Sequence, residues 1–384
     1  MKNENKFQTG NVITISFAHF VHDVFSSFVA PLLPLLIDKH NISLSLAGFM
    51  TVVQRLPSLF SPLIGILADK LPIRYILILA PSITAAAMSL IGVAPSYIFL
   101  LILLLFAGIG IALFHVPGPV MIKRVSGYRT GKGMSFFMFG GELARSIGPI
   151  VVLGAVSLWG LEGTFRLMPV GFFASFLLYL RFRKIPISDA FHKKKRETGI
   201  LGTLKKHFPV FMLITGIIFF TSMIKSALTT FLPTYVTATG SSLWAGGISL
   251  AIYQLAGAVG TFFSGTISDT LGRRKTLIIS SLISTVLMWL YSSNGETYAI
   301  PLLIMLGFFM FASTPILLAI VNDIDSEHAA FLNGVFMTIN FLFSALAVIL
   351  VGVSGDLIGL ELTYSISPIF GLFAVPFIIG LKET

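Results

Sequence analysis

Residues 65–74 read GILADKLPIR and residues 265–274 read GTISDTLGRR. Gly65, Asp69, Leu71 and Arg74 recur in register as Gly265, Asp269, Leu271 and Arg274, 200 residues apart in a chain of 384. Each copy follows a long apolar run and ends on basic residues. A repeat at about half the chain length, in these surroundings, predicts two copies of one helical membrane bundle.

Working outward, the composition agrees. The chain is 55% hydrophobic and 11% charged, with a mean hydropathy of +0.92, whereas a soluble domain carries about 25% charged residues to face water. A span needs about 20 apolar residues, and the runs predict twelve: 12–37, 44–68, 74–94, 96–122, 131–155 and 164–182, then 208–236, 243–268, 275–293, 298–321, 329–353 and 359–381. The expectation is an all-α polytopic membrane protein, with a six-helix bundle over 1–182, a basic linker over 183–207 and a second, pseudo-symmetric bundle over 208–384. The polar start, Met1 to Gln8, precedes a run too long and too polar for a cleaved leader, so that run is read as helix 1.

Charge assigns sides. With an even number of spans, the segments sharing a side with both termini hold 21 of the 26 lysines and arginines, and the opposite side holds only Lys39 and Arg166. The positive-inside rule makes the termini cytoplasmic and accounts for the net charge of +10 without nucleic acid. The absence of cysteine excludes disulfides and thiolate-bound metal. No Gly-x-x-x-x-Gly-Lys-Ser/Thr pattern occurs, so ATP is not the expected energy source. Two bundles related by such a repeat are a known plan for transporters, with the solute site near the midplane.

The repeated decapeptide resembles the loop 2–3 signature of the major facilitator superfamily and its copy in loop 8–9. The second copy, with Gly265, Asp269, Gly272, Arg273 and Arg274, is the fuller one; the first has Pro72 and Ile73 where the signature has glycine and arginine. The residue types suit a gate: glycine allows helices to approach closely, and an aspartate accepts from a helix N-terminus or pairs with arginine. Plain positive-inside charge is the alternative reading of the basic residues. A narrower resemblance, to the fosmidomycin-resistance branch, is carried by Gly108, Gly110, Phe114-His115, Ser126-Gly127, Gly133, Ser135 and Gly140-Gly141-Glu142…Arg145-Ser146-Ile-Gly148-Pro149. Val116 separates His115 from Pro117, a departure from that branch. Gly148-Pro149 is also similar to a motif of drug/proton antiporters, although Leu104 stands near where those carry an arginine.

Ionisable residues inside spans are costly and mark a pathway. His19, His22, Asp23 and Ser26 lie on one face of helix 1. Arg55 lies about 21 Å before Asp69 along helix 2. His115, Glu142, Arg145 and Lys225 sit in helices 4, 5 and 7, and Glu142 and Arg145 are spaced to pair. Each has a structural alternative: a Glu142–Arg145 pair that only neutralises itself, a core His115 bonded to a carbonyl freed by Pro117 or Pro119, an Arg55 that locks helices, an Asp23 permanently paired. His19, His22 and Asp23 suffice geometrically for a metal, but no other spacing supports one, and histidine beside carboxylate reads as a proton carrier. No metal or cofactor is expected. Pro31, Pro34, Pro117, Pro119, Pro233 and Pro315 mark where spans are expected to break, and the superfamily resemblance implies that their helices line the cavity.

The resemblance implies a monomeric secondary transporter working by alternating access in the cytoplasmic membrane, its partners being lipid, a small-molecule solute and protons. Proton-coupled efflux of a small organic compound is favoured, with Asp23 the first coupling candidate and Glu142 the next. Arg55, Arg145 and Lys225 against Asp23 and Glu142 favour an anionic or zwitterionic solute. Uptake of a nutrient anion is the alternative. An embedded enzyme would need a nucleophile–base or metal constellation at one depth, to which only His19, His22 and Asp23 come near, and a non-transporting sensor would be expected to carry an added soluble domain.

Overall fold

The computed structural model describes residues 7–60, 73–183, 200–324 and 329–381, and every regular element among them is helical. Eleven described helices are long and apolar enough to cross a membrane, and a shorter apolar helix covers Leu44–Phe60. Gly65 and Asp69 lie outside the described residues, as does most of the expected linker. The side chain of Arg74, in the first turn of the helix that begins at Ile73, also lies outside them.

The chain divides into two compact units. The first comprises 1–41 and 50–193 and holds α1 (Thr9–Ser26), α2 (Val29–His40), most of α3 (Leu44–Arg55), α4 (Ile73–Ser89), α5 (Tyr97–His115), α6 (Pro117–Ser126), α7 (Thr130–Trp159) and α8 (Met168–Phe182). The predicted helix 1 is broken at Ser27. Pro31 has no N–H for the Ser27 carbonyl, and the Ser26 and Ser27 hydroxyls turn back onto the Asp23 and Val24 carbonyls at 2.9 and 2.8 Å, a contact that bends helices. Pro117 ends α5 in the same way and opens α6 at its first position, where a missing N–H costs nothing.

The core of this unit is apolar and continuous across its helices, with Val12, Ile15, Leu77, Phe114, Phe137 and Phe182 all buried. Helices α1 and α7 meet along a seam of small residues: a Cβ on Gly140 would lie 2.7 Å from the Ser16 carbonyl, and one on Gly148 would overlap the Ser27 hydroxyl. Only glycine permits that approach.

The second unit comprises 42–49 and 194–384 and holds α9 (Ile200–Thr230), α10 (Leu232–Ala238), α11 (Leu243–Leu271), α12 (Arg273–Asn322), α13 (Ala329–Ile358) and α14 (Leu360–Gly380). Its core includes Phe211, Ile214, Leu277, Ile316, Phe336 and Ile378. Helix begins at Ile200, inside the stretch expected to be linker. Asp356 caps the start of α3 from α13, accepting from Leu44 N–H at 2.7 Å and Ser45 N–H at 2.9 Å. Pro233 stands just past the end of α9, as expected. Pro315 breaks nothing: α12 runs through it and through residues 294–297, where a connection was expected. One missing N–H removes a single ladder bond, which tertiary packing can override. Outward side chains are large and apolar, Phe262 being 77% exposed, as a lipid-facing surface requires.

Candidate functional site

In the first unit, α1 buries His19, His22 and Asp23 side by side. Glycine makes room for them: a Cβ on Gly141 of α7 would stand 2.6 Å from the His19 ring and 3.2 Å from Asp23 Oδ2. The rings are held flat between aromatics, His19 stacked on Phe137 at 3.9 Å and His22 on Phe114 at 4.6 Å.

Hydrogen bonds fix which nitrogen carries each proton. His19 Nδ1 lies 2.7 Å from the Phe137 carbonyl and His115 Nδ1 lies 3.0 Å from the Ile111 carbonyl. A carbonyl only accepts, so both Nδ1 atoms donate. His22 Nδ1 faces Asp23 Oδ1 at 3.0 Å and donates to it, leaving Nε2 to accept from the Thr84 hydroxyl at 3.0 Å.

Asp23 is the centre of this cluster. Its carboxylate meets His22 at 3.0 Å, His19 Nε2 at 3.4 Å, His115 Nε2 at 3.5 Å and Arg145 Nη2 at 3.9 Å. Arg145 is shared, because its Nη1 donates to Glu142 Oε1 at 2.9 Å. The spacing that predicted a Glu142–Arg145 pair is therefore realised, and the pair is tied to Asp23. The side chain of Glu142 is 19% exposed and that of Asp23 is 3% exposed. The more accessible carboxylate has the guanidinium as its ion-pair partner, whereas the buried one has that guanidinium and three imidazoles.

The structure thus brings together His19, His22, Asp23, His115, Glu142 and Arg145, and adds Thr84, Phe114 and Phe137. Thr84 and Phe137 carried no signal as neutral residues in apolar runs, Phe114 stood only in the branch resemblance with no role assigned, and the Phe137 carbonyl is invisible to any reading of side chains. Ser26 faces back onto its own helix. Arg55 ends α3 with an exposed side chain and lies within electrostatic reach of Arg145. In the second unit, Lys225 of α9 sits over the Phe311 ring at 4.4 Å, with Thr314 Oγ1 at 3.4 Å.

The second gate motif is described in full. Arg273 donates to Asp269 at 3.0 Å and Ser268 at 3.1 Å, and to Asp323 at 2.5 Å. Asp323 was missed because it lies beyond α12, 50 residues on. Gly272 has φ +90°, a backbone that glycine adopts without strain and that ends α11. Among the described residues a Cβ on Gly265 would meet no atom within 4 Å, so no close helix approach is seen there. Arg274 follows Arg273 in the first turn of α12.

Comparison with known proteins agrees with this architecture. The chain is 24% identical over 374 residues to the fosmidomycin resistance protein of Escherichia coli K12, covering 94% of this chain and 91% of that one. It is 23% identical over 293 residues to the multi-drug resistance efflux pump PmrA of Streptococcus pneumoniae, covering 73% and 72%. Its fold matches the inward-facing crystal structure of a bacterial homologue of the human lysosomal transporter Spinster, with a TM-score of 0.79 at 16% identity over 97% of this chain and 96% of that one. The family profile named Major Facilitator Superfamily matches residues 15–348. With that match over most of its length, two helical units and a bundle of the same fold, this chain belongs to the major facilitator superfamily and is a transporter, not an enzyme.

Proposed function

We propose that this transporter exports a small organic compound, anionic or zwitterionic, in exchange for protons, by alternating access in the cytoplasmic membrane. The observation that carries the reading is the sharing of Arg145 between Glu142 at 2.9 Å and Asp23 at 3.9 Å. With Glu142 ionised, the guanidinium stands at the accessible end of the cluster, where an anionic group of the solute joins it. A proton on Glu142 removes the nearer counter-charge, and the guanidinium moves to Asp23 and away from the solute. Proton and solute then exclude each other, which is what exchange requires. Among the ionisable residues that the sequence places inside spans, Arg55, Arg145 and Lys225 outnumber Asp23 and Glu142 by one, which supports a solute of net negative or balanced charge. Efflux is favoured by the resistance relatives, and the basic residues on one side of the spans support cytoplasmic termini. The protein acts as a monomer in this reading.

The test is Glu142→Gln in proteoliposomes. Gradient-driven transport should be lost while exchange of labelled for unlabelled solute without a gradient continues. Uphill transport at the wild-type rate in Glu142→Gln would overturn the assignment, and decoupling in Asp23→Asn alone would move it to Asp23.

A further inference from the structure

His19, Asp23 and His115 do more than the exchange mechanism asks of them. We infer that they form a binding site for one divalent transition-metal ion of the zinc type, held by two Nε2 atoms and the Asp23 carboxylate.

Three observations carry this. The first is spacing. His19 Nε2 stands 3.3 Å from His115 Nε2 and 3.4 Å from Asp23 Oδ2, and His115 Nε2 stands 3.5 Å from Asp23 Oδ1. Tetrahedral ligands bound at about 2.0–2.1 Å lie about 3.3–3.4 Å apart; the two nitrogens have that spacing, each faces a different Asp23 oxygen, and one ligand atom from each residue lies within 4.8 Å of the others. The second is protonation. Because both Nδ1–H groups are committed to backbone carbonyls, both Nε2 atoms carry lone pairs when the rings are neutral, and these face each other across 3.3 Å. As neutral rings neither can donate to the other, so the pair takes up a cation, either a proton or a metal ion. The third is support. Each ligand is oriented from behind, the imidazoles by the Phe137 and Ile111 carbonyls and Asp23 by His22, which Thr84 holds in turn. Outer contacts of this kind orient metal ligands and set their tautomers.

Two nitrogens and one carboxylate suit zinc, cobalt or nickel rather than magnesium or calcium, which take oxygen. The His115 side chain is 38% exposed, which leaves an approach and a fourth position for water. His22, which the sequence offered as a ligand, is excluded because both its nitrogens are engaged. Arg145 opposes a dication at Asp23, but Glu142 holds its other nitrogen and offers it a place away from the metal.

The experiment uses the full-length chain, purified without a histidine tag and titrated with Co²⁺, which absorbs strongly in the visible range when tetrahedral. One equivalent should bind, with displacement by equimolar Zn²⁺ and none by millimolar Mg²⁺. His115→Gln should weaken binding by more than the roughly 10–100-fold that loss of an outer contact costs, in protein that still unfolds in one cooperative transition. Joint replacement of His40, His192, His207 and His328 by Asn should leave binding intact. No saturable binding, undiminished binding in His115→Gln, or loss in the four-histidine variant would each overturn the site. If His115→Gln does not fold, zinc-edge absorption of the wild-type complex decides: two imidazoles in the shell support the site and fewer overturn it. The outcome does not depend on proton coupling, because binding is read without transport.

Discussion

The two units use the same backbone device for different ends. In the first, α1 stops at Ser26 ahead of Pro31 and buries His19, His22 and Asp23. In the second, α9 stops at Thr230 ahead of Pro233, and its last turns carry Thr221, Ser222, Lys225 and Ser226. Elsewhere the second unit buries hydroxyls, among them Ser264, Ser280, Ser281 and Thr285, and among the described residues Asp23 is the only buried carboxylate. The gate motif runs the other way: its full form is in the second unit, with Arg273 between Asp269 and Asp323. The two units share the break ahead of a proline after their first helix, but not helix lengths or every break: α1 has 18 residues and α9 has 31, and the break at Pro117 has no counterpart at Pro315. Side-chain chemistry was free to diverge, with charge in the first unit and neutral hydrogen bonding in the second.

That contrast breaks most readily at Asp23. Removing one member of a buried charge network leaves the others uncompensated and costs about 3–5 kcal/mol. Asp23→Ala should therefore lower the melting temperature more than any single replacement among the buried hydroxyls of the second unit, such as Ser281→Ala. Equal melting shifts for the two would show that the first unit is not specialised. The glycines sharpen it next. Gly141→Ala drives a methyl against the His19 ring and should destabilise by about 1–3 kcal/mol. Gly265→Ala, whose methyl would meet no atom of the described residues within 4 Å, should be neutral or stabilising by up to ~1 kcal/mol through helix propensity. Thermal unfolding in detergent distinguishes them, and similar losses at both sites would contradict the packing described.

A smaller effect belongs to Lys225. Lys225→Gln should weaken an anionic solute by about tenfold, roughly 1.4 kcal/mol, and leave a neutral analogue unaffected in a binding titration. A hydrophobic cation emerging as the transported species would reverse the expectation. The smallest effect is expected at the gate. Arg273 pairs with exposed carboxylates, and such pairs contribute about 1 kcal/mol or less. Arg273→Gln should slow turnover a few-fold with solute affinity unchanged, and altered affinity would place Arg273 in binding rather than gating.

The spans and the two-bundle plan were legible because bilayer thickness imposes run length directly on sequence. His19, His22 and Asp23 were legible as one helical face, and Glu142 with Arg145 as one turn. The arrival of His115 beside His19, 96 residues away, was not, since nothing local dictates which face of α5 meets α1. The same holds for Asp323 at the gate. At Gly265 no close neighbour stands among the described residues, because a shared motif position does not dictate a shared packing role. Pro315 was misread because proline lowers helix stability by an amount that neighbouring helices can override.

The seam between α1 and α7 has a kinetic consequence. Backbones that meet at Gly140 and Gly148 cannot slide without overlapping Ser16 and Ser27, so the two helices must travel as one rigid body whatever the rest of the protein does. A cartridge of this kind keeps its backbones in place through a cycle while side chains such as Arg145 change partners within it. What changes between stages is then the partner of Arg145 and the water that reaches the cartridge, and with it the local dielectric. Spin labels on α1 and α7, set into a chain that has no cysteine to remove, should report one unchanging separation with and without solute.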